Sequence, residues 1–308
     1  MEALTILFPV FFMMALGFVS RVRGWITPQQ KEGAKAIVFT VLFPILIFQL
    51  TMTANIERST IFLVLYVVLF FTVCLVVGKL LSGFTGKKFA HMSPYLLTSC
   101  EASSVTLPLY ISIVGPSVNT VLIDLGGLLF VFILLPVVLA RQTAASTSAK
   151  GIAKNIFTNS FVIAVIAGLL MNFTGAYAAI MHSAAATLVT DTLSQATAPI
   201  VGVILFVLGY ELTIDKEMLG SLVKLFVLRL ALYLVCIEGF YLLFPQRMSD
   251  KIFAAAVWLY FMSPPGFALP TVISPVIKSE EDQNFCSALI SLFLIVTLIV
   301  YTVLVVTW

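Results

Sequence analysis

The chain has 308 residues, of which 61% are hydrophobic and 10% charged. A soluble globular chain carries about 25% charged residues, so this composition excludes an ordinary soluble protein, a disordered chain and a nucleic-acid binder. The mean hydropathy of +1.12 fits a chain lying mostly in a lipid bilayer, and the net charge of +3 has to be read loop by loop.

About twenty apolar residues carry a helix across a bilayer. Breaking the apolar runs at charge, glycine and proline predicts ten such segments, near residues 3–20, 34–53, 59–81, 92–114, 118–140, 156–174, 186–209, 222–244, 251–274 and 284–308. Lipid cannot hydrogen-bond open backbone, so the expectation is an all-α membrane protein; a barrel would need short alternating strands. No basic stretch precedes the first run, which reads as a retained span rather than a signal peptide. The four cysteines, Cys74, Cys100, Cys236 and Cys286, sit in apolar runs without CxxC spacing and read as small buried hydrophobes.

Lys and Arg set orientation in short loops. With the N-terminus outside, thirteen basic residues fall on the inner side, among them Arg21, Arg23, Lys31, Lys35, Lys87, Lys88, Arg141 and Lys278, against Arg58, Arg247 and Lys251 outside. Both termini are therefore predicted on the non-cytoplasmic side of a cell membrane. The longest inner connection, residues 141–155, is a Ser, Thr, Ala and Lys-rich cytoplasmic linker. It divides the chain into a first repeat, 1–140 (segments one to five), and a second, 156–308 (segments six to ten). An odd number of spans per half inverts one half against the other, a pattern of secondary transporters. Phe43-Pro44-Ile45 in segment two matches Ala198-Pro199-Ile200 in segment seven, and Leu107-Pro108-Leu109 in segment four matches Leu269-Pro270-Thr271 in segment nine.

The chemistry concentrates in segments four and nine. Segment four carries Thr98, Ser99, Glu101, Ser103, Ser104 and Thr106 ahead of Pro108. Glu101 lies nine residues in, about 14 Å deep by helical rise, and a carboxyl at that depth is read as functional by default. Segment nine carries Ser263-Pro264-Pro265-Gly266 and then Pro270. Two adjacent prolines lack backbone donors and glycine loosens the helix further, so an interruption near the midplane is expected, its backbone facing protein or a water-filled cavity. Meeting at the midplane, the two broken helices would surround one cavity. Ser99, Ser103, Ser104, Thr106, Pro108, Ser263, Pro264, Pro265, Gly266 and Pro270 are the expected substrate-binding residues, and Glu101 and Asp124 the expected ion-coupling residues. Arg229, in segment eight, reads as a snorkelling side chain near the inner surface. No metal-ligand spacing, Walker A, GxSxG, HExxH or GxGxxG motif is present, so no enzyme, metal site or cofactor is expected, only a coupling H+ or Na+.

These residues resemble the auxin efflux carrier family of secondary transporters. The resemblance rests on Gly17-Phe18 and Arg21, Gly24-Trp25-Ile26-Thr27, the run Leu42-Phe43-Pro44-Ile45-Leu46-Ile47-Phe48, Leu107-Pro108-Leu109, and Pro199-Ile200 through Leu208-Gly209. It implies two inverted five-helix repeats whose segments four and nine cross at their prolines. It also implies a scaffold of 1–55 plus 156–215 and a moving part of 56–140 plus 216–308. Elevator-type alternating access, often as a homodimer, and carboxylate substrates such as malonate or malate follow from the same resemblance. Without a long hydrophilic central loop the chain looks like a bacterial malonate or malate permease. Glu101 stands where the family commonly has Asn. An ionised Glu would repel a carboxylate, so either Glu101 is protonated when substrate binds or the substrate is zwitterionic or cationic.

The function expected is secondary active transport of a small organic acid, proton-coupled through Glu101. Sodium coupling, an amino-acid substrate on the same fold, and a non-transporting membrane sensor are the alternatives.

Overall fold

The structure is a computed structural model that describes residues 2–54, 58–143, 160–211, 219–267 and 269–307. Every regular element among them is helical. Seven helices are long and apolar enough to cross a membrane: Leu4–Val22, Pro28–Met52, Ser59–Leu80, Asn119–Leu139, Ala186–Tyr210, Gly220–Leu243 and Glu280–Thr307. They fall in expected segments one, two, three, five, seven, eight and ten. The other three expected segments are shorter or interrupted. Segment six is helical over Ser160–Phe173, its first four residues lying outside the described residues, as does most of the 141–155 linker. Segments four and nine are divided, as set out below.

Local chemistry sets the first turn. Glu2–Val22 is followed by Gly24 at φ +67°, a left-handed conformation that glycine adopts without a Cβ penalty. There the Trp25 N–H reaches the Ser20 carbonyl at 3.0 Å and the Gly24 N–H the Arg21 carbonyl at 3.2 Å, the double closure that stops a helix. Thr27 then caps the next helix reciprocally with Gln30, and Pro28 opens it, where its missing N–H costs no intrahelical bond.

Three helical segments widen just ahead of a proline. The turns Val38–Leu42, Ala102–Thr106 and Phe130–Leu134 are π-helical, and Pro44, Pro108 and Pro136 each follow at the second residue beyond. A proline cannot bond to the carbonyl four residues back and collides with it. The wider turn relieves that collision, with bonds such as Thr106 N–H to Glu101 carbonyl, 3.2 Å, closing five residues back.

Helix Glu2–Val22 packs along Pro199–Glu211, and Phe43–Met52 along Ser160–Phe173. The first pairing is glycine-mediated. A Cβ on Gly17 would lie 1.9 Å from the Phe206 carbonyl oxygen, and one on Gly209 1.9 Å from that of Met14. Small residues allow such backbone approach where lipid supplies no hydrophobic drive between helices. In the second, the Asn172 amide donates to the Thr51, Met52 and Ala54 carbonyls at 3.3, 3.0 and 2.7 Å, covering the open end of the facing helix. Arg58–Leu80 packs on Asn119–Leu129, and Leu219–Leu243 on Lys251–Phe261 and Glu280–Thr307. Where segments four and ten begin, His91 Nε2 lies 3.0 Å from Asp282 Oδ2, and Lys88 pairs with Glu281.

Candidate functional site

Segment four is helical over Ser93–Leu96 and again over Leu107–Val114 after the widened turn; residues 97–101 lie outside helix. In segment nine the helix Lys251–Phe261 stops three residues before Pro264, and the next one is Leu269–Val272. The two non-helical stretches bond to each other. The Glu101 N–H donates to the Pro264 carbonyl at 2.8 Å and to Ser263 Oγ at 3.1 Å. The Gly266 N–H donates to Ser99 Oγ at 3.0 Å, and the Phe267 N–H to Glu101 Oε2 at 2.6 Å. Backbone groups that neither helix satisfies thus find partners on the other chain segment, as a non-aqueous interior requires.

Behind this junction lies Arg229, 0% exposed. Its guanidinium donates to the carbonyls of Leu96 at 2.8 Å, Ser99 at 2.6 Å and Ser263 at 3.3 Å. Its charge is stacked between the rings of Tyr233, 4.1 Å away, and Phe293, 4.9 Å away. Tyr233 adds bonds to the Leu97 and Ser99 carbonyls at 2.9 and 3.2 Å. The expectation that Arg229 snorkels to the inner surface is therefore overturned. An arginine offers five donors in a rigid fork, and the interruptions supply the carbonyls to receive them. Sequence reasoning missed this role because the signal was a lone intramembrane charge, while its partners lie 34 to 133 residues away.

A cavity of about 380 Å³ opens in front of the junction. Its deep wall is Ser99, Cys100, Glu101, Ala102, Gly266 and Phe267, with Asp124, Gly127, Leu128 and Val131 of segment five to one side. Its mouth carries Glu32, Lys35 and Phe39 of segment two, Glu32 exposed and Lys35 partly so. The Lys35 ammonium lies 5.3 Å from the Phe267 ring centre. Glu101 is 8% exposed. Asp124 Oδ1 accepts from Tyr260 Oη at 2.9 Å, and Gly127 leaves room for that pair, since a Cβ there would lie 2.4 Å from Tyr260 Oη.

Of the residues singled out from sequence, Ser99, Gly266, Glu101 and Asp124 line this cavity. Ser263 and Pro264 sit behind the wall, binding the Glu101 amide, and Pro265 is buried beside them. Thr106 is spent on the Glu101 carbonyl, at 2.9 Å. Pro108 and Pro270 open the short helices beyond each interruption, outside the cavity wall. The side chains of Ser103 and Ser104 lie outside the described residues. Lys35, Phe39, Phe132 and Phe267 also line the cavity and were not foreseen; a lysine at an inner helix end looks like any other positive-inside charge.

Residues 3–147 match the family of membrane transport proteins. Over this stretch the chain is similar to that family. The matched part contains Lys35, Ser99, Glu101 and Asp124 of the cavity, and the chain completes the site from residues 229–269. No curated protein matches the chain.

Proposed function

We propose that this membrane transporter moves a small organic acid by proton-coupled, elevator-type alternating access, as a bacterial malonate or malate permease would. The observation that carries the reading is where the cavity lies. Glu32, Lys35 and Phe39 belong to the group of helices containing segments one, two, six and seven. The facing walls belong to segments four, five and nine. A substrate site between two packed groups is what one group sliding past the other would carry across.

Ten spans in two inverted repeats are part of the proposal. The pairing of segment one with seven, and of segment two with six, supports it, because an inverted repeat makes those two contacts equivalents of each other. Scaffold 1–55 plus 156–215 and transport part 56–140 plus 216–308 follow the same division. With the basic-rich side facing the cytoplasm and both termini on the far side of a cell membrane, the mouth at Glu32 and Lys35 would make this an inward-open state. A homodimer is proposed from the resemblance alone.

Glu101 is the proposed coupling group, with Asp124 beside it. Two like charges 4 Å apart repel by about 4 kcal/mol at an effective dielectric near 20, so a carboxylate substrate needs Glu101 neutralised. A second reading is favoured by one specific observation: the cavity has three carboxyl groups, Glu32, Glu101 and Asp124, against one lysine, Lys35. That balance suits a sodium ion or the amine of an amino acid.

Uptake of labelled malonate, malate and amino acids into proteoliposomes separates the readings. Acid uptake that rises with an inward proton gradient at fixed sodium supports the first. Uptake that follows sodium, or admits amino acids only, supports the second. If nothing is taken up but a ligand binds saturably, the chain is a sensor.

A further inference from the structure

We propose that the Glu101 carboxylate is a tethered stand-in for the substrate's own carboxylate, holding the Phe267 amide until a proton releases it. This rests on the organic-acid reading above and specifies how the site would take the acid. A substrate carboxylate entering this cavity needs donors at its deep wall. Among the described residues, the backbone donors on that wall are the Gly266 and Phe267 amides at the segment-nine interruption, beside the Ser99 hydroxyl, and both amides are already engaged. The Gly266 N–H is taken by the Ser99 hydroxyl, a neutral acceptor. The Phe267 N–H is taken by Glu101 Oε2 at 2.6 Å. Glu101 and Phe267 both line the cavity, so a carboxylate oxygen already sits where an incoming one would bind. Arg229 is committed to carbonyls behind the wall.

The exchange balances in charge and protons. A proton arriving through the mouth bonds to the Glu101 carboxylate and makes it the neutral acid. The bond from Phe267 N–H loses its charge assistance, which accounts for about half the strength of such bonds. The substrate's carboxylate takes that N–H, and one proton and one acid occupy the site together. On the other side the proton leaves Glu101 for water, and the restored carboxylate reclaims the amide and expels the acid. Four groups on neighbouring elements bear on this titration: Asp124 of segment five, Lys35 and Glu32 of segment two, and Arg229 of segment eight behind Ser99. Cys100 is the adjoining thiol in segment four.

The test is calorimetric titration of the purified full chain with malonate, malate and acetate, in buffers of different ionisation enthalpy. Wild type is expected to take up about one proton per acid bound, its affinity falling about tenfold per pH unit as pH rises. Glu101→Gln is expected to bind acid with no proton uptake and no pH dependence. In Glu101→Ala, hydrogen exchange at Phe267 is expected to speed up without acid and slow again when acid is added. Proton uptake that persists in Glu101→Gln, or acid binding without proton uptake in wild type, overturns this mechanism and leaves organic-acid transport standing. Failure of all three acids to bind wild type and variants alike overturns the organic-acid reading itself, and this inference with it.

Discussion

The Arg229 guanidinium stands 2.6 Å from the Ser99 carbonyl oxygen, although 130 residues separate the two in the chain. The same nitrogen reaches Ser263, on the other interruption. One buried cation therefore ties both non-helical stretches to segment eight. Removing it takes a donor from the carbonyls of Leu96, Ser99 and Ser263, at about 1–3 kcal/mol for each buried group left unsatisfied. Arg229→Met is expected to lower the melting temperature in detergent by several degrees and abolish uptake. Arg229→Lys restores charge without the planar fork and is expected to recover stability in part and uptake hardly at all. Uptake at wild-type level in both variants would show that the junction holds without Arg229.

Gly17 and Gly209 should tolerate no side chain. A methyl group at either would lie 1.9 Å from a facing backbone oxygen, and backbone cannot step aside as a side-chain tip can. Gly209→Ala is expected to push the two helices apart at a cost of about 1–3 kcal/mol, read as a lower midpoint of thermal unfolding. Gly220→Ala, where nothing lies within 4 Å, is the matched control and should leave the midpoint unchanged.

Asn172 closes the end of Phe43–Met52 from the other half of the chain. Asn172→Leu keeps the bulk and removes the donors. It is expected to destabilise by about 1–3 kcal/mol and to speed hydrogen exchange around Thr51 to Ala54, a local effect that mass spectrometry of exchanged peptides would locate.

The mouth of the cavity makes a topological prediction. The four native cysteines are buried, so a cysteine placed at residue 35 should dominate labelling by a membrane-impermeant thiol reagent. Lys35→Cys is expected to react from the cytoplasmic face and to be protected by bound substrate. Labelling only from the opposite face would reverse the proposed orientation.

Much of the architecture was legible in the sequence because its signals are local. Twenty-residue apolar runs are such signals; the stop at Gly24, the start at Thr27-Pro28 and the widened turns before Pro44, Pro108 and Pro136 are equally local but emerge only from the structure. Glu101 and Pro264-Pro265-Gly266 stood out because a carboxyl in lipid and a double proline in a helix are both expensive. The partners of Arg229, Asn172 and Asp124 left no such mark, and a buried arginine reads in sequence like one that snorkels.

Taken alone, the sequence determines a helical membrane chain, its interrupted segments and the presence of an intramembrane carboxyl group, since composition and backbone chemistry decide these residue by residue. Only tertiary structure decides that Glu101 meets the Phe267 amide, that one arginine serves both interruptions, and that the cavity opens toward Lys35. Those outcomes depend on which distant backbone groups are left unsatisfied and which side chains can reach them, and that is settled only when the helices pack.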